Sequence, residues 1–282
     1  MFRRPGVIEV SFLGSGSTGN CAVIRTGKTT VLLDAGLSLR ETTRRLALRG
    51  VSIDSIDAIF LTHEHSDHIR CAYDLALKKG IPTYATSGTA LAAKLPGPLF
   101  ADVRRVVNGG EVVLKQGDLN VRIASTPHDG AESVCFVFSD ADGRRVGVAT
   151  DLGHLSRGVI EALADCDILG LEANHDVDLL RDGGYPAYLK RRILSDVGHL
   201  SNDAAAAAFP ELIGARTEAV VALHISAHNN TSALAAQIFG SALLRLGSSI
   251  PLEVARPDVP TEWRRAGGPH RPPEPIESEK CR

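Results

Sequence analysis

The sequence predicts a layered α/β (α+β) fold, and three observations support that prediction. Short runs rich in β-branched and aromatic residues fill the first half of the chain, as is typical of strands. Segments with helical periodicity and recognisable capping residues are interleaved with these runs. The chain has 282 residues, of which 44% are hydrophobic, so it can bury a substantial core. Together these features favour sheets covered by helices.

The predicted strands are short and are separated by turns. They cover residues 7–13, 21–25, 30–34, 58–61, 83–85, 119–125, 134–139 and 145–149, followed by 168–171 and 219–223. The first two are joined by GSGSTGN, whose glycines have the spacing of a dinucleotide-binding turn. That turn requires a helix after it, whereas residues 21–25 are β-rich. The stretch therefore predicts the loop of an antiparallel hairpin.

The predicted helices have recognisable ends. Ser38 is a candidate N-cap and Gly50 a stop for the first helix, and Gly80 ends the second. The helices cover residues 38–49, 69–79, 156–164, 203–212, which is rich in alanine, and 231–246. From residue 256 the chain is rich in proline and charge, which is typical of disorder. We therefore predict one folded domain over residues 1–255 and a disordered tail over 256–282, so His270 and Cys281 carry little weight.

Composition limits the possible functions. The formal net charge is −2, with 31 basic and 33 acidic residues, so no overall positive field holds nucleic acid and any such contact must be local. The five cysteines are scattered and none has C-x-x-C spacing, which argues against a disulfide framework and a zinc ribbon. We expect free thiols in a reducing cytoplasm. No signal peptide or membrane span is evident.

The segment FLTHEHSDHI, residues 60–69, follows a predicted strand and precedes a predicted helix. It contains His63, His65, Asp67 and His68 in H-x-H-x-D-H spacing. Imidazoles and carboxylates this close in sequence can converge on a metal ion, and the loops after strands are where α/β proteins place their sites. A solvated polar loop would not need three histidines. The segment therefore predicts a metal site.

One such cluster cannot complete two metal sites, so further ligands are expected after other strands. His128, Asp151 and His224 each follow a separate predicted strand. An isolated histidine after a strand is more often structural than a ligand. The recurrence of the pattern after three strands nevertheless favours metal ligands.

The ordered set T-H-x-H-x-D-H, P-H, T-D-x-G and a late histidine resembles the metallo-β-lactamase superfamily, over residues 7 to about 250. The resemblance implies a four-layer αββα sandwich. It also implies a first metal site, a second metal site and a bridging ligand, with GSGSTGN near the site and Asp34 as a buried support. The implied ligands are His63, His65 and His128 for the first metal, Asp67, His68 and His224 for the second, and Asp151 between them.

Two divalent ions about 3.5 to 4 Å apart can activate a bridging water and clamp the oxygens of a displacement. The resemblance therefore implies a hydrolase with a metal-bridging hydroxide as nucleophile. All the implied ligands offer nitrogen or oxygen, which suits Zn²⁺ or Mn²⁺ and also permits iron. Asp67 and Asp151 have competing roles as ligand and proton acceptor, and we favour the ligand role for both.

Motifs in the second half narrow the resemblance. LEANHD, YPAYLKRRI, GHLSN and HISAHNN, with the early SFLGSGSTGNC, are similar to the YycJ-type (WalJ-like) branch of the superfamily. Members of this branch are associated with exonuclease action on DNA. The chain departs from the branch at His228, where an acidic residue is usual, so the role of that position stays open.

Residues expected to act on substrate lie in the same motifs. We expect His199 to stabilise the scissile phosphate beside Ser201, the candidate N-cap of the alanine-rich helix. The other expected substrate contacts are Asn202, Glu172, His175 and the basic run Lys190, Arg191 and Arg192. His175, Glu172 and Asp176 could equally form a structural network. Arg45 and Arg49 are interpreted as a solvated helix face.

The leading hypothesis is a dinuclear metal-dependent phosphodiesterase, an exonuclease with DNA as its substrate. One alternative is a metallohydrolase of a small cyclic phosphodiester or an ester, which the near-neutral charge supports. Another, from a different class, is an iron-binding redox protein. That reading needs a flavin domain, for which the tail is too short.

Overall fold

The computed structural model describes residues 7–94 and 102–267, which form two mixed sheets. In the first sheet the strands follow the order β14-β1-β2-β3-β4-β5-β6. Its strands are β1 (Glu9–Gly14), β2 (Cys21–Arg25), β3 (Thr30–Leu33), β4 (Ala58–Phe60), β5 (Thr83–Ala85), β6 (Arg104–Arg105) and β14 (Arg264–Arg265). In this sheet β1, β2 and β3 are antiparallel neighbours, whereas β3 to β6 run parallel.

The second sheet follows the order β13-β12-β11-β10-β9-β8-β7. Its strands are β7 (Glu111–Leu114), β8 (Leu119–Ser125), β9 (Val134–Asp140), β10 (Arg145–Ala149), β11 (Ile168–Glu172), β12 (Ala219–Leu223) and β13 (Leu252–Val254). In this sheet β10 to β13 are parallel and β7 to β10 antiparallel. Each sheet thus has a parallel half, whose strands end at one edge.

Helices connect the strands of both sheets. They are α1 (Leu39–Leu48), α2 (Ser66–Ile69), α3 (Ala72–Lys79), α4 (Ser87–Ala92), α5 (Arg157–Leu163), α6 (Val177–Asp182), α7 (Ala187–Ile193), α8 (Asn202–Ala207), α9 (Phe209–Leu212) and α10 (Ser232–Arg245). Two 3₁₀ turns, Ile53–Ser55 and Lys115–Gly117, complete the regular elements of the described residues.

Three apolar clusters define the layers. The first lies between the sheets and includes Phe12, Phe60 and Phe136. The second packs α5, α8, α9 and α10 on the second sheet, and the third packs α1 and α3 on the first. Burial of these apolar faces from water is the main stabilising contribution to such a fold. The order of layers is therefore αββα, which confirms the predicted fold class.

The predicted hairpin between β1 and β2 is also present. The side chain of Asn20 accepts a hydrogen bond from the Gly16 backbone N–H at 2.9 Å, which closes the glycine loop. The loop is held against the segment after β3, since Gly36 donates its N–H to the carbonyl oxygen of Asn20 at 2.9 Å. A Cβ on Gly36 would lie 1.6 Å from the carbonyl oxygen of Asp67, so only glycine fits there.

Most predicted elements agree with the structure to within one or two residues. The predicted helix over residues 203–212 is instead divided into α8 and α9, because Pro210 has no N–H to continue the first helix. The helix predicted over 69–79 begins only at Ala72, as α3, and the short helix α2 precedes it at Ser66–Ile69. Sequence analysis missed α4, α6, α7 and the short edge strands β6, β7, β13 and β14.

Residues 256–267 correct the predicted boundary at residue 255. They return to the first sheet, where β14 pairs with β1 and Thr261 exchanges hydrogen bonds with Phe12. The Trp263 indole donates to the carbonyl oxygen of Arg49 at 3.2 Å, and the Arg25 guanidinium lies 3.9 Å from the Trp263 ring centroid. Proline and charge in this stretch therefore belong to a packed strap; residues 268–282, with His270 and Cys281, lie outside the described residues.

Arg45 and Arg49 do not form the predicted solvated face. Arg45 is only 7% exposed and donates from Nη1 to the carbonyl oxygens of Leu13 and Pro257, at 2.8 and 2.6 Å. Arg49 donates to the carbonyl oxygen of Pro260 at 2.9 Å. The two arginines satisfy carbonyl groups of the returning segment that no strand partner reaches.

Among the described residues, no helix is both long and apolar enough to cross a membrane.

We expect Arg45→Ala to lower the free energy of unfolding by about 2–4 kcal/mol, because two buried carbonyl groups lose a charged donor. Urea titration followed by circular dichroism measures the change. Arg44→Ala is the matched control: Arg44 is on the same helix, is half exposed and pairs only with Glu41, so its loss should leave stability near that of the wild type. If both substitutions lowered the free energy of unfolding equally, the hydrogen bonds of Arg45 to Leu13 and Pro257 would not be the stabilising contacts proposed here.

Candidate metal centre

The predicted ligands meet at one edge of the two sheets. His63 and His65 follow β4, His128 follows β8, Asp151 follows β10 and His224 follows β12. Parallel strands deliver the residues after their carboxyl ends to the same edge, and the sheets face each other there. Side chains that are far apart in sequence therefore converge.

His63, His65 and His128 form the first ligand group, in which one ligand atom from each lies within 4.8 Å of the others. His65 Nδ1 is 3.0 Å from His63 Nε2 and 3.3 Å from His128 Nε2. His63 and His128 are buried, whereas His65 is partly exposed. Three convergent imidazole nitrogens are a common ligand set for Zn²⁺ and related ions.

Asp67, His68 and His224 form the second ligand group, again with ligand atoms within 4.8 Å. Asp67 Oδ2 lies 3.7 Å from both His68 Nε2 and His224 Nε2. Asp151 stands between the two groups, with Oδ2 at 3.1 Å from His68 Nε2 and Oδ1 at 3.8 Å from His128 Nε2. The bridging role predicted for Asp151 requires such a position.

Four of the five ligand histidines have a hydrogen-bond partner on the nitrogen that faces away from the ligand groups. His63 Nδ1 lies 3.0 Å from Thr62 Oγ1, and His68 Nδ1 lies 2.7 Å from Asp34 Oδ2. His128 Nδ1 lies 3.1 Å from the carbonyl oxygen of Gly198, and His224 Nδ1 lies 3.0 Å from Glu172 Oε1. Asp34, predicted as a buried support, is thus the partner of His68. Outer partners of this kind fix the ring orientation and direct the other nitrogen to a metal.

Two buried atoms support the assignment of a cation site. Asp151 Oδ2 and His224 Nε2 are fully buried and have no hydrogen-bond partner among the residues that the structure describes. His68 Nε2 lies 3.1 Å from Asp151 Oδ2, but without hydrogen-bond geometry. Unpaired buried polar atoms are costly, so they indicate a missing ligand. The nitrogen and oxygen donors of both groups fit divalent metal ions, and none of the described cysteines belongs to them.

Charge at the centre has the sign that a cation requires. Burial opposes ionisation of Glu172, but His199 and His224 together hold its pKa at about 2. Burial likewise opposes a charged His224, yet Asp151, Asp67 and Glu172 raise its pKa to about 10. The carboxylates therefore create a site that strongly favours positive charge.

Three residues of the centre have left-handed backbone conformations. The φ angles of Asp34, Asp151 and His224 are 58°, 60° and 55°. Asp34 and His224 directly follow β3 and β12, and Asp151 follows β10 after one residue. This region costs a residue with a Cβ about 1–2 kcal/mol, although aspartate and histidine tolerate it better than most. The strain is concentrated where the chain turns to present site residues.

His199 and Glu172 form a pair beside the second ligand group. His199 Nδ1 is 2.8 Å from Glu172 Oε1, while Glu172 Oε2 accepts the backbone N–H groups of Leu152 and Leu200 at 2.8 and 3.1 Å. Glu172 is fully buried, so it is a support and not a surface contact for substrate. The His199 ring lies 5.3 and 5.2 Å from the rings of His128 and His224.

The other predicted substrate residues separate into two sets. Ser201 caps α8, because its hydroxyl accepts the Ala204 N–H at 3.1 Å. Asn202 is fully buried and its side-chain amide pairs with that of Asn230, which corrects the substrate role predicted for Asn202. His175 is 1% exposed, and burial lowers its pKa to about 4. Asp176 caps α6, so it belongs to the structural alternative.

The basic run lies on α7, and its last residue, Arg192, reaches the rim of the centre. Arg191 is exposed, Lys190 donates to the carbonyl oxygen of Arg181 at 2.6 Å, and Arg192 pairs with Asp129. Sequence analysis missed Asp129, although its position next to His128 was a usable signal. It also missed Tyr188, which is 67% exposed on α7. His228, whose role the sequence left open, is exposed, and its ring lies 5.6 Å from that of Tyr185.

Comparison with known proteins adds family information. Residues 29–225 match the family model described as "Beta-lactamase superfamily domain". The chain is 34% identical over 260 residues to "Exodeoxyribonuclease YycJ" of Bacillus anthracis, covering 90% of this chain and 98% of that protein. It is 37% identical over 230 residues to "Exodeoxyribonuclease WalJ" of Streptococcus pneumoniae serotype 2 (strain D39 / NCTC 7466), covering 80% of this chain and 85% of that protein.

Two solved structures show the same fold. The metallo-β-lactamase fold protein YhfI from Bacillus subtilis superposes with a TM-score of 0.68 at 16% identity, over 90% of this chain and 98% of that one. Zn²⁺-bound PqqB from Methylobacterium extorquens gives a TM-score of 0.66 at 17% identity, over 90% of this chain and 99% of that one.

The left-handed conformation of His224 leads to a prediction on stability. In chelator-treated protein, His224→Gly should be more stable than His224→Ala by about 1 kcal/mol, because glycine adopts positive φ without a Cβ clash. Urea unfolding measures the difference. The matched pair Glu161→Gly and Glu161→Ala, inside α5, should show the opposite order, because glycine weakens a helix interior. The same order at both positions would contradict backbone strain at His224.

Proposed function

Because the chain belongs to the metallo-β-lactamase superfamily, in the branch of YycJ and WalJ, we propose that it is a metal-dependent phosphodiesterase that acts as an exonuclease on DNA. The observation that carries this proposal is the convergence of the two ligand groups at one sheet edge in a chain that aligns with 98% of an exodeoxyribonuclease. DNA is proposed as the substrate because the similar proteins YycJ and WalJ are exodeoxyribonucleases. Metal-dependent hydrolysis is proposed because of the two ligand groups.

The proposed cofactors are two divalent ions, Zn²⁺ or Mn²⁺. The first ligand group would hold one ion, the second group the other, and Asp151 would contact both. When bound, such ions activate water and offset the negative charge that develops on a phosphodiester. Asp67 and Asp151 are assigned as ligands, since a carboxylate oxygen of each lies 3.7 and 3.1 Å, respectively, from Nε2 of the buried His68.

His199 is the proposed substrate contact nearest the centre. Glu172 is ionised at neutral pH and holds Nδ1 of His199, which leaves Nε2 as the nitrogen available to a substrate oxygen. A histidine held in this way can donate a proton or a hydrogen bond to a phosphate oxygen. Glu172 therefore acts through His199.

The surface beside the centre suits a nucleic-acid strand. Arg191 and Lys190 on α7 can neutralise phosphates, and the exposed ring of Tyr188 on the same helix offers a face on which a base can stack. The net charge of −2 means that this attraction is local to the helix.

The thiols support a reducing compartment. Cys21, Cys71, Cys135 and Cys166 are buried and unpaired. Cysteines usually remain as free thiols in a reducing cytoplasm, which is the location that we propose for this protein.

The first test is the release of nucleotides from end-labelled single- and double-stranded DNA, with Mn²⁺ or Zn²⁺ supplied. We expect release by the wild type and a decrease of more than about 100-fold in Asp151→Asn, because a ligand shared by the two groups is lost. Intact DNA, under conditions where a small phosphodiester such as bis(p-nitrophenyl) phosphate is hydrolysed, would contradict the exonuclease and favour the small-substrate hydrolase.

A second test concerns His199. His199→Ala should retain both bound metal ions and lose about 10²- to 10⁴-fold in kcat, as expected when a group that transfers a proton or stabilises charge is removed. Metal content is measured by atomic absorption and kcat by the nuclease assay. His154→Ala is the matched control, because His154 is exposed and its Nδ1 lies 3.0 Å from the carbonyl oxygen of Asp196. Loss of metal in His199→Ala would assign this residue to the ligand shell instead.

A further inference from the structure

Asp129 and Arg192 form a two-point ion pair at the rim of the centre. Arg192 donates from Nε to Asp129 Oδ2 at 2.5 Å and from Nη2 to Asp129 Oδ1 at 2.9 Å. A guanidinium that grips a carboxylate through two parallel hydrogen bonds fixes its orientation as well as its position. The pair joins α7 to the loop that carries His128.

The other side of Asp129 faces the first ligand group. Asp129 Oδ1 lies 3.6 Å from His65 Nε2 and 3.3 Å from His128 Nε2. His65 Nδ1 points toward His63 and His128, so Nε2 is its outer nitrogen. The outer nitrogens of the other ligand histidines have partners already described, and Asp129 is the carboxylate that faces the outer nitrogen of His65.

Backbone contacts reinforce the connection. The Asp129 N–H donates to the carbonyl oxygen of Val197 at 3.1 Å, and His128 Nδ1 lies 3.1 Å from the carbonyl oxygen of Gly198. The segment after β8 is therefore held to the segment after α7 at two places, and to α7 itself through the ion pair.

We propose that Asp129 and Arg192 are positioning residues that hold His65 for the first metal ion, and that Arg192 acts through Asp129 and not as a phosphate anchor. The inference rests on the metal centre of the proposed function. Two of the donor nitrogens of Arg192 are already used by Asp129, which leaves the phosphate-binding role to Lys190 and Arg191. It also means that α7, the helix expected to contact DNA, is mechanically joined to the metal centre.

The experiment is calorimetric titration of chelator-treated protein with Zn²⁺ alone, in the wild type, Asp129→Asn, Arg192→Ala and the double variant. We expect two sites in the wild type. Asp129→Asn should weaken one of them by about 10- to 100-fold and leave the other unchanged, as loss of an outer partner does. Arg192→Ala should weaken the same site by a smaller factor. The double variant should be no weaker than Asp129→Asn, because both substitutions break one chain of contacts.

Three controls make the outcomes separable. Arg157→Ala removes an arginine from an exposed helix ion pair and should change neither site. The visible spectrum of Co²⁺-loaded protein should change in Asp129→Asn if the geometry around His65 changes. Arg192→Lys keeps the positive charge but loses the two parallel hydrogen bonds to Asp129. If a thermal melt shows that this variant is folded, its Zn²⁺ affinity should decrease at the same site as in Arg192→Ala.

Equal weakening of both sites, or unchanged Zn²⁺ affinity in Asp129→Asn, would overturn the inference. Unchanged Zn²⁺ affinity in Arg192→Ala together with weaker binding of labelled single-stranded DNA would make Arg192 the phosphate anchor and overturn its positioning role. Failure of the wild type to bind Zn²⁺ would instead overturn the metal centre of the proposed function, so the two failures are distinguishable.

Discussion

Two buried carboxylates, one in each half of the fold, hold three imidazoles of the centre in place, those of His68, His199 and His224. Asp34 accepts from the backbone N–H and hydroxyl of Thr62 and faces His68, while Glu172 accepts two backbone N–H groups and faces both His199 and His224. A buried carboxylate is stable only where hydrogen bonds or positive groups surround it. The same contacts that stabilise these carboxylates therefore orient the rings that they touch.

The sheets explain why the support comes from both halves. Asp34 follows β3 in the first sheet and Glu172 ends β11 in the second, and the apolar cluster between the sheets sets their separation. Close packing in that interior leaves little freedom for either sheet to shift. The candidate metal centre is thus positioned by the hydrophobic core between the sheets.

The sequence predicted the fold class and the candidate ligands because both depend on local patterns: short strands, and polar residues directly after them. It could not predict the Asp129–Arg192 pair, since their partnership depends on how α7 packs after a long excursion of the chain. Residues 256–267 were misassigned for a related reason. Their composition is typical of disorder, and they are held by Arg45 on α1 and by Arg49 directly after α1, whose carbonyl partners no sequence periodicity reveals. A polar residue directly after a strand can be recognised from a few neighbouring residues. A pair of side chains from distant parts of the chain cannot, because it depends on how the whole chain packs.

The left-handed backbone at Asp34, Asp151 and His224 has a consequence for how this chain can evolve. Aspartate, asparagine, histidine and glycine are the residues that tolerate such angles, and two of these four are also metal ligands. If Asp151 and His224 have the proposed ligand roles, metal chemistry and backbone geometry restrict these two positions to nearly the same residue types. A lineage that abandons catalysis would keep its fold most easily through asparagine or glycine here, so those two residues are the expected mark of relatives that have lost the metals while retaining the scaffold.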